Sequence, residues 1–186
     1  MRKLREGSPL FEKEFLVQKR ADEILRQGWK KETFLTWEWW LLVALTIFPW
    51  LIWWKLVDRR RIFEILTYGI MIMIISEFFD GIGVEFDLWE YHQRLIPLFD
   101  ILIVYDFSVI PVIYMLVYQF FNTWKSFAVA SIIVAGIFAF ISEPALMAMG
   151  FYEVFNWRHV YSFPIYFSMA MSMRWIMGYL KKVAFT

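Results

Sequence analysis

Apolar residues along this chain fall into long blocks, and the charged residues between them crowd into short connections. A block of about 20 apolar residues is long enough to cross the hydrocarbon of a bilayer as a helix. Five blocks approach that length, near residues 39–56, 62–79, 98–121, 124–142 and 160–180. The predicted fold class is therefore all-α, a polytopic transmembrane bundle of about five spans. Four spans plus a buried hairpin is the alternative.

The first block has tryptophans at both ends: Trp37, Trp39 and Trp40 at one, Trp50, Trp53 and Trp54 at the other. From Trp37 to Trp54 a helix rises about 25 Å, close to the hydrocarbon thickness. Indoles favour both interfaces, so Trp37, Trp40, Trp53 and Trp54 are predicted anchors. Asp58-Arg59-Arg60-Arg61 forms a polar turn, and Asp80-Gly81-Ile82-Gly83 is predicted to end the second span. The loop that follows carries Phe86, Leu88, Trp89 and Tyr91, residues suited to packing back onto the bundle. Glu143-Pro144 is predicted to end the fourth span, and residues 145–159 read as an interfacial or partly re-entrant segment.

Ahead of the spans, residues 1–36 form a separate region. Residues 1–13 read as a tail. Residues 14–31 alternate an apolar side (Phe15, Ile24, Leu25, Trp29) with a charged one (Lys19, Arg20, Asp22, Glu23, Arg26). An N-terminal amphipathic helix lying along the headgroups, or on a partner, fits that pattern. Residues 37–186 make up the transmembrane domain.

Composition strengthens the membrane reading. Of 186 residues 60% are hydrophobic, against roughly 45–50% in globular chains. The absence of cysteine removes disulfides, zinc–thiolate sites and thiol catalysis. Net charge is only +1, but its distribution carries information. With five spans, Lys55, Arg59, Arg60, Arg61, Lys125, Lys181 and Lys182 share one side, while the opposite connections offer Arg94 and Arg158. Positive-inside bias then places the C-terminus in the cytoplasm of a multi-pass cell-membrane protein. Lys19, Arg20, Arg26, Lys30 and Lys31 pull the other way and bring the two sides level.

Acidic residues within the blocks carry the candidate chemistry. An ionised carboxylate facing lipid is costly, so such a group must meet protein, water, a cation or a substrate. Glu77, Asp80, Asp106 and Glu143 are the candidate acid or electrostatic residues, and Asp106, more than two turns inside its span, most needs shelter. Asp100, His92 and His159 are weaker candidate ligands for a divalent cation. Arg174 is expected to reach the opposite face with its charged end. No phosphate-binding glycine loop, nucleophile elbow or H-E-x-x-H motif is present. Basic residues flank spans or are balanced by acids, which argues against nucleic-acid binding.

Taken together, Glu77-x-x-Asp80, Trp89-x-Tyr91, the third span with Pro97, Asp100, Pro111 and Gln119, and Glu143-Pro144 before Gly150-x-Tyr152 carry a resemblance. The chain resembles small uncharacterised multi-span membrane proteins of Bacillus- and Clostridium-type bacteria, a likeness that implies no activity. A fainter likeness is to small membrane carotenoid cyclases, which also set acids at the ends of aromatic-rich helices; it implies a lipid-substrate enzyme. Three functions stay open: an accessory or structural membrane subunit with a buried carboxylate cluster, which the sequence favours; an enzyme acting on an isoprenoid or other lipid; and a small transporter or cation-binding protein. The expected partners are membrane lipids, with a protein partner or a second copy of the chain.

Overall fold

In the computed structural model, residues 9–97 and 103–184 are described. The chain is an all-α bundle with one small pair of strands. Its elements are α1 (Pro9–Gly28), α2 (Trp37–Leu56), α3 (Ile62–Glu85), β1 (Trp89–Tyr91), α4 (Ile110–Phe120), α5 (Trp124–Ile137), α6 (Glu143–Ala148), β2 (Tyr152–Val154) and α7 (His159–Ala184). Three π-helical turns among the described residues extend this set: Trp29–Thr33 follows α1, Tyr105–Val109 leads into α4, and Phe138–Ser142 joins α5 to α6. Among the described residues three helical segments are long and apolar enough to cross a membrane: Trp37–Leu56, Arg59–Glu85 and Trp124–Ala148. Large apolar side chains cover the outside of the bundle, among them Phe63, Ile74, Ile141 and Trp175. Such a surface suits lipid and not water.

Aromatic residues hold the centre together. Tyr68 of α3 stacks on Tyr118 of α4 with ring centroids 4.3 Å apart. Phe127 and Phe138 are fully buried beside them, and α7 closes the core with Met169 and Ala170. In a medium without water each buried polar group must bond internally. Accordingly Tyr68 donates to the Ala170 carbonyl at 3.3 Å and Tyr114 to that of Tyr166 at 3.0 Å. Buried Gln119 clamps the end of α2: its Nε2 donates to the Leu56 carbonyl and its Oε1 accepts from the Asp58 amide, both at 2.9 Å.

Several expectations are corrected. Helix α3 does not end at Asp80 but runs on to Glu85, so Asp80 is buried inside it. Glycine in a helix costs only about 1 kcal/mol, and Gly83 has a packing reason: a Cβ there would lie 1.9 Å from the Trp89 indole. Nor does Glu143-Pro144 stop the fourth span, which stays helical to Ala148. A proline ring clashes with the carbonyl four residues earlier, and a π-turn is one way for a helix to make room. The turn Phe138–Ser142 stands where that relief is needed. Residues 145–159 therefore hold the end of a helix and strand β2 as well as a connecting loop. Trp53 is not an outward anchor but a core residue, 3% exposed, whereas Trp37, Trp40 and Trp54 face outward.

The N-terminal region sits on the loop after β1. Trp29 Nε1 donates to the Arg94 carbonyl at 2.8 Å and Trp39 Nε1 to that of Leu95 at 3.0 Å. Helix α1 itself buries no residue.

Candidate functional site

Pro111 and Pro144 each follow a π-turn, with Asp106 inside the first turn and Glu143 directly after the second. In an α-helix the Phe107 carbonyl would bond the amide of residue 111, but proline has none. The extra residue in the turn Tyr105–Val109 absorbs the mismatch, and Trp50 Nε1 of α2 donates to the orphaned Phe107 carbonyl at 3.2 Å. The Ser108 hydroxyl bonds the Thr46 carbonyl at 3.0 Å, fixing the turn from the same helix. Asp106 is thereby turned inward, 4% exposed. Glu143 follows the second π-turn directly and is 9% exposed.

Asp80, Asp106 and Glu143, from three different helical segments, line one cavity of about 300 Å³. That is the small end of the roughly 300–1,000 Å³ of ligand pockets. Its walls are mostly aromatic and aliphatic: Trp89, Tyr91, Tyr105, Tyr152, Trp157, Tyr166, Leu146 and Met169. The strand pair covers it, β1 running antiparallel to β2 with Trp89 opposite Val154 and Tyr91 opposite Tyr152.

Neutral donors and a histidine are among the partners of the three acids. Asp80 Oδ1 accepts from Trp89 Nε1 at 2.9 Å and from the Tyr91 hydroxyl at 2.6 Å. Asp106 accepts from the Ser76 hydroxyl one helix away. Glu143 Oε2 accepts from the Ser162 hydroxyl at 3.0 Å and lies 2.7 Å from His159 Nδ1, while Ser162 itself accepts from Trp157 Nε1 at 2.9 Å. The His159 side chain is 27% exposed and so links Glu143 to the outside of the bundle. Burial, reinforced by the charge of Asp80, holds the Tyr91 phenol well above the ordinary tyrosine range. Burial does the same to Tyr152, with Glu143 adding to it. Both phenols stay protonated near neutrality.

Other candidates stand elsewhere. Glu77 is half-buried and does not line the cavity; its Oε2 has no hydrogen-bond partner among the described residues. His92 sits 3.4 Å from Glu153 on the exposed side of the strand pair. Asp100 lies outside the described residues. Among the described residues no group of three or more His, Asp or Glu side chains is placed to hold a metal ion. Arg174 does not extend outward: it is buried, donating to the Phe121 carbonyl at 2.7 Å and to the Asn122 carbonyl. The sequence reading misses Ser76, Ser162, Tyr105, Tyr152 and Trp157. Proline shortly after an intramembrane acid was the available signal, in Asp106 with Pro111 and in Glu143-Pro144.

The chain matches no protein-family model, no curated protein and no solved structure.

Proposed function

We propose that this chain is a five-span integral membrane protein whose cavity takes an unsaturated apolar lipid of the isoprenoid class and carries proton-transfer chemistry on it. The supporting observation is the cavity itself: three carboxyl groups from three helical segments gathered inside one aromatic-walled space. An accessory subunit needs carboxylates tied to partners but has no use for a cavity beside them. The likeness to small membrane carotenoid cyclases points the same way.

The roles follow from the partners. Asp106, bonded to a serine hydroxyl and enclosed, is the acid. Its O–H bond breaks as a C–H bond forms at one carbon of a substrate C=C, leaving a carbocation at the other. Asp80, fixed by Trp89 and Tyr91, and the indole and phenol faces stabilise that cation while water is kept out. A neighbouring double bond can close on it. Glu143 then takes a proton from the carbon next to the cation, and that C–H electron pair becomes the new C=C. His159 passes the proton outward, and water entering once the product has left returns one to Asp106. One proton enters and one leaves, so the product keeps the mass of the substrate. No step requires a cation, although a divalent ion stays open as a partner of the acid end.

The accessory reading keeps one observation of its own, since each acid ties together separate elements. Purified protein in lipid nanodiscs, incubated with a panel of polyprenyl and carotenoid lipids, separates the two. The enzyme reading expects a product of unchanged mass from the wild type and none from Asp106→Asn. No product from any lipid, together with lost assembly in Asp106→Asn, supports the accessory role. The cation-rich turns further support a cell-membrane protein with its C-terminus in the cytoplasm. A reporter fused after Thr186 should be active only there.

A further inference from the structure

At the end of the bundle away from the acids lies a second cleft that the proposed chemistry does not use. It measures about 380 Å³ and is lined by Arg61, Glu64, Tyr118, Trp124, Arg174 and Lys181, with Gly178 forming part of its floor. Its charges do not balance: among the described residues three cations face a single carboxylate. Glu64 divides its one charge between Arg61 at 2.9 Å and Lys181 at 3.1 Å, and also accepts from the Tyr118 hydroxyl at 2.7 Å.

Arg174 has no carboxylate partner among the described residues. Two of its nitrogens donate to main-chain carbonyls where α4 ends, and its Cζ lies 4.3 Å from the Phe127 ring and 5.2 Å from that of Trp124. A guanidinium offers five N–H donors, so donors remain after those two bonds. Carbonyl dipoles and aromatic faces lower the cost of burying the charge but do not neutralise it.

We infer that this cleft binds the phosphate group of an anionic lipid headgroup. A phosphate supplies the missing negative charge and matches the planar fork of arginine through paired hydrogen bonds. Trp124 and Trp175 stand close to Arg174 in the fold and the sequence, with Lys181 and Lys182 a few residues on, the mix of indoles and cations typical of headgroup depth. The inference rests on the chain spanning a membrane and not on the chemistry of the acid-lined cavity.

Gly178 allows a test that leaves every charge in place. A Cβ at Gly178 meets nothing within 4 Å, so Gly178→Leu fills the cleft without a clash at the helix backbone. The protein is reconstituted with equal phosphatidylglycerol and phosphatidylcholine, released into the gas phase, and the lipids retained on each chain are weighed. The wild type is expected to keep one phosphatidylglycerol, with retention several-fold lower in Gly178→Leu and in Lys181→Gln. Lys125→Gln, which removes an exposed cation outside the cleft, should keep the wild-type level. Circular dichroism checks that all variants remain helical. Equal retention of the two lipids, or equal loss in Lys125→Gln, would overturn the inference. Displacement by added inorganic phosphate would assign the cleft to a soluble phosphate compound instead and equally overturn it.

Discussion

The two ends of this bundle treat the same chemical group in opposite ways. Glu64 lies between Arg61 and Lys181, with Tyr118 completing its shell. Asp106 meets a serine donor, and Glu143 meets serine and a histidine, both beside an open space. A carboxylate with cations against it is neutralised and has little left to do beyond holding helices together. One satisfied by neutral donors keeps its capacity to give or take a proton, and an adjoining cavity gives it something to act on. The difference separates a packing acid from a reactive one, and it does so by partners, since both kinds are largely buried.

The largest expected effect tests the reactive end. Asp106→Asn keeps shape and removes the proton, so turnover of a lipid substrate should fall by about 10²–10⁴-fold, while Glu64→Gln leaves turnover per folded molecule unchanged. Equal losses from both would erase the distinction. Gly83→Val comes next. Its side chain must displace the Trp89 indole, which costs roughly 1–3 kcal/mol and strips Asp80 of a donor. Melting temperature and indole fluorescence should therefore change together. Glu64→Gln should lower stability by about 2 kcal/mol through its charged hydrogen bonds, seen as an earlier melt without a fluorescence change at Trp89.

The smallest effect concerns the strand cap. Tyr91 and Tyr152 hold their protons above the ordinary tyrosine value of about 10. Below that value both folded and unfolded chains are neutral at these groups, and stability does not vary with pH on their account. Above it only the unfolded chain ionises, so stability falls as pH rises. Denaturant titrations across the alkaline range should show that fall, and Tyr91→Phe with Tyr152→Phe should flatten it.

Much of the helical class can be read directly from the chain, because long apolar blocks bounded by charge leave few alternatives. The tryptophan belt of α2 is visible too, although periodicity alone does not tell that Trp53 turns inward while Trp54 turns out. Local rules fail where glycine and proline act through packing. Gly81 and Gly83 read as a stop, yet α3 continues because the space left by Gly83 is filled by Trp89 from beyond the helix. Pro144 reads as a stop as well, yet a π-turn lets the helix pass it. Convergence of Asp80, Asp106 and Glu143 depends on both events. Asp106 could be singled out by its depth in an apolar run, but Ser76 and Ser162 carry no signal until the helices are side by side.

Solvent deuterium offers the most direct test of the proton transfer. Wild-type protein in nanodiscs is incubated with an unsaturated isoprenoid in deuterated water, and the product is examined by mass spectrometry. Transfer from Asp106 to carbon predicts one deuterium fixed in each product molecule, and no labelled product from Asp106→Asn. Product that forms without deuterium, or labelled product from Asp106→Asn at the wild-type rate, would contradict it.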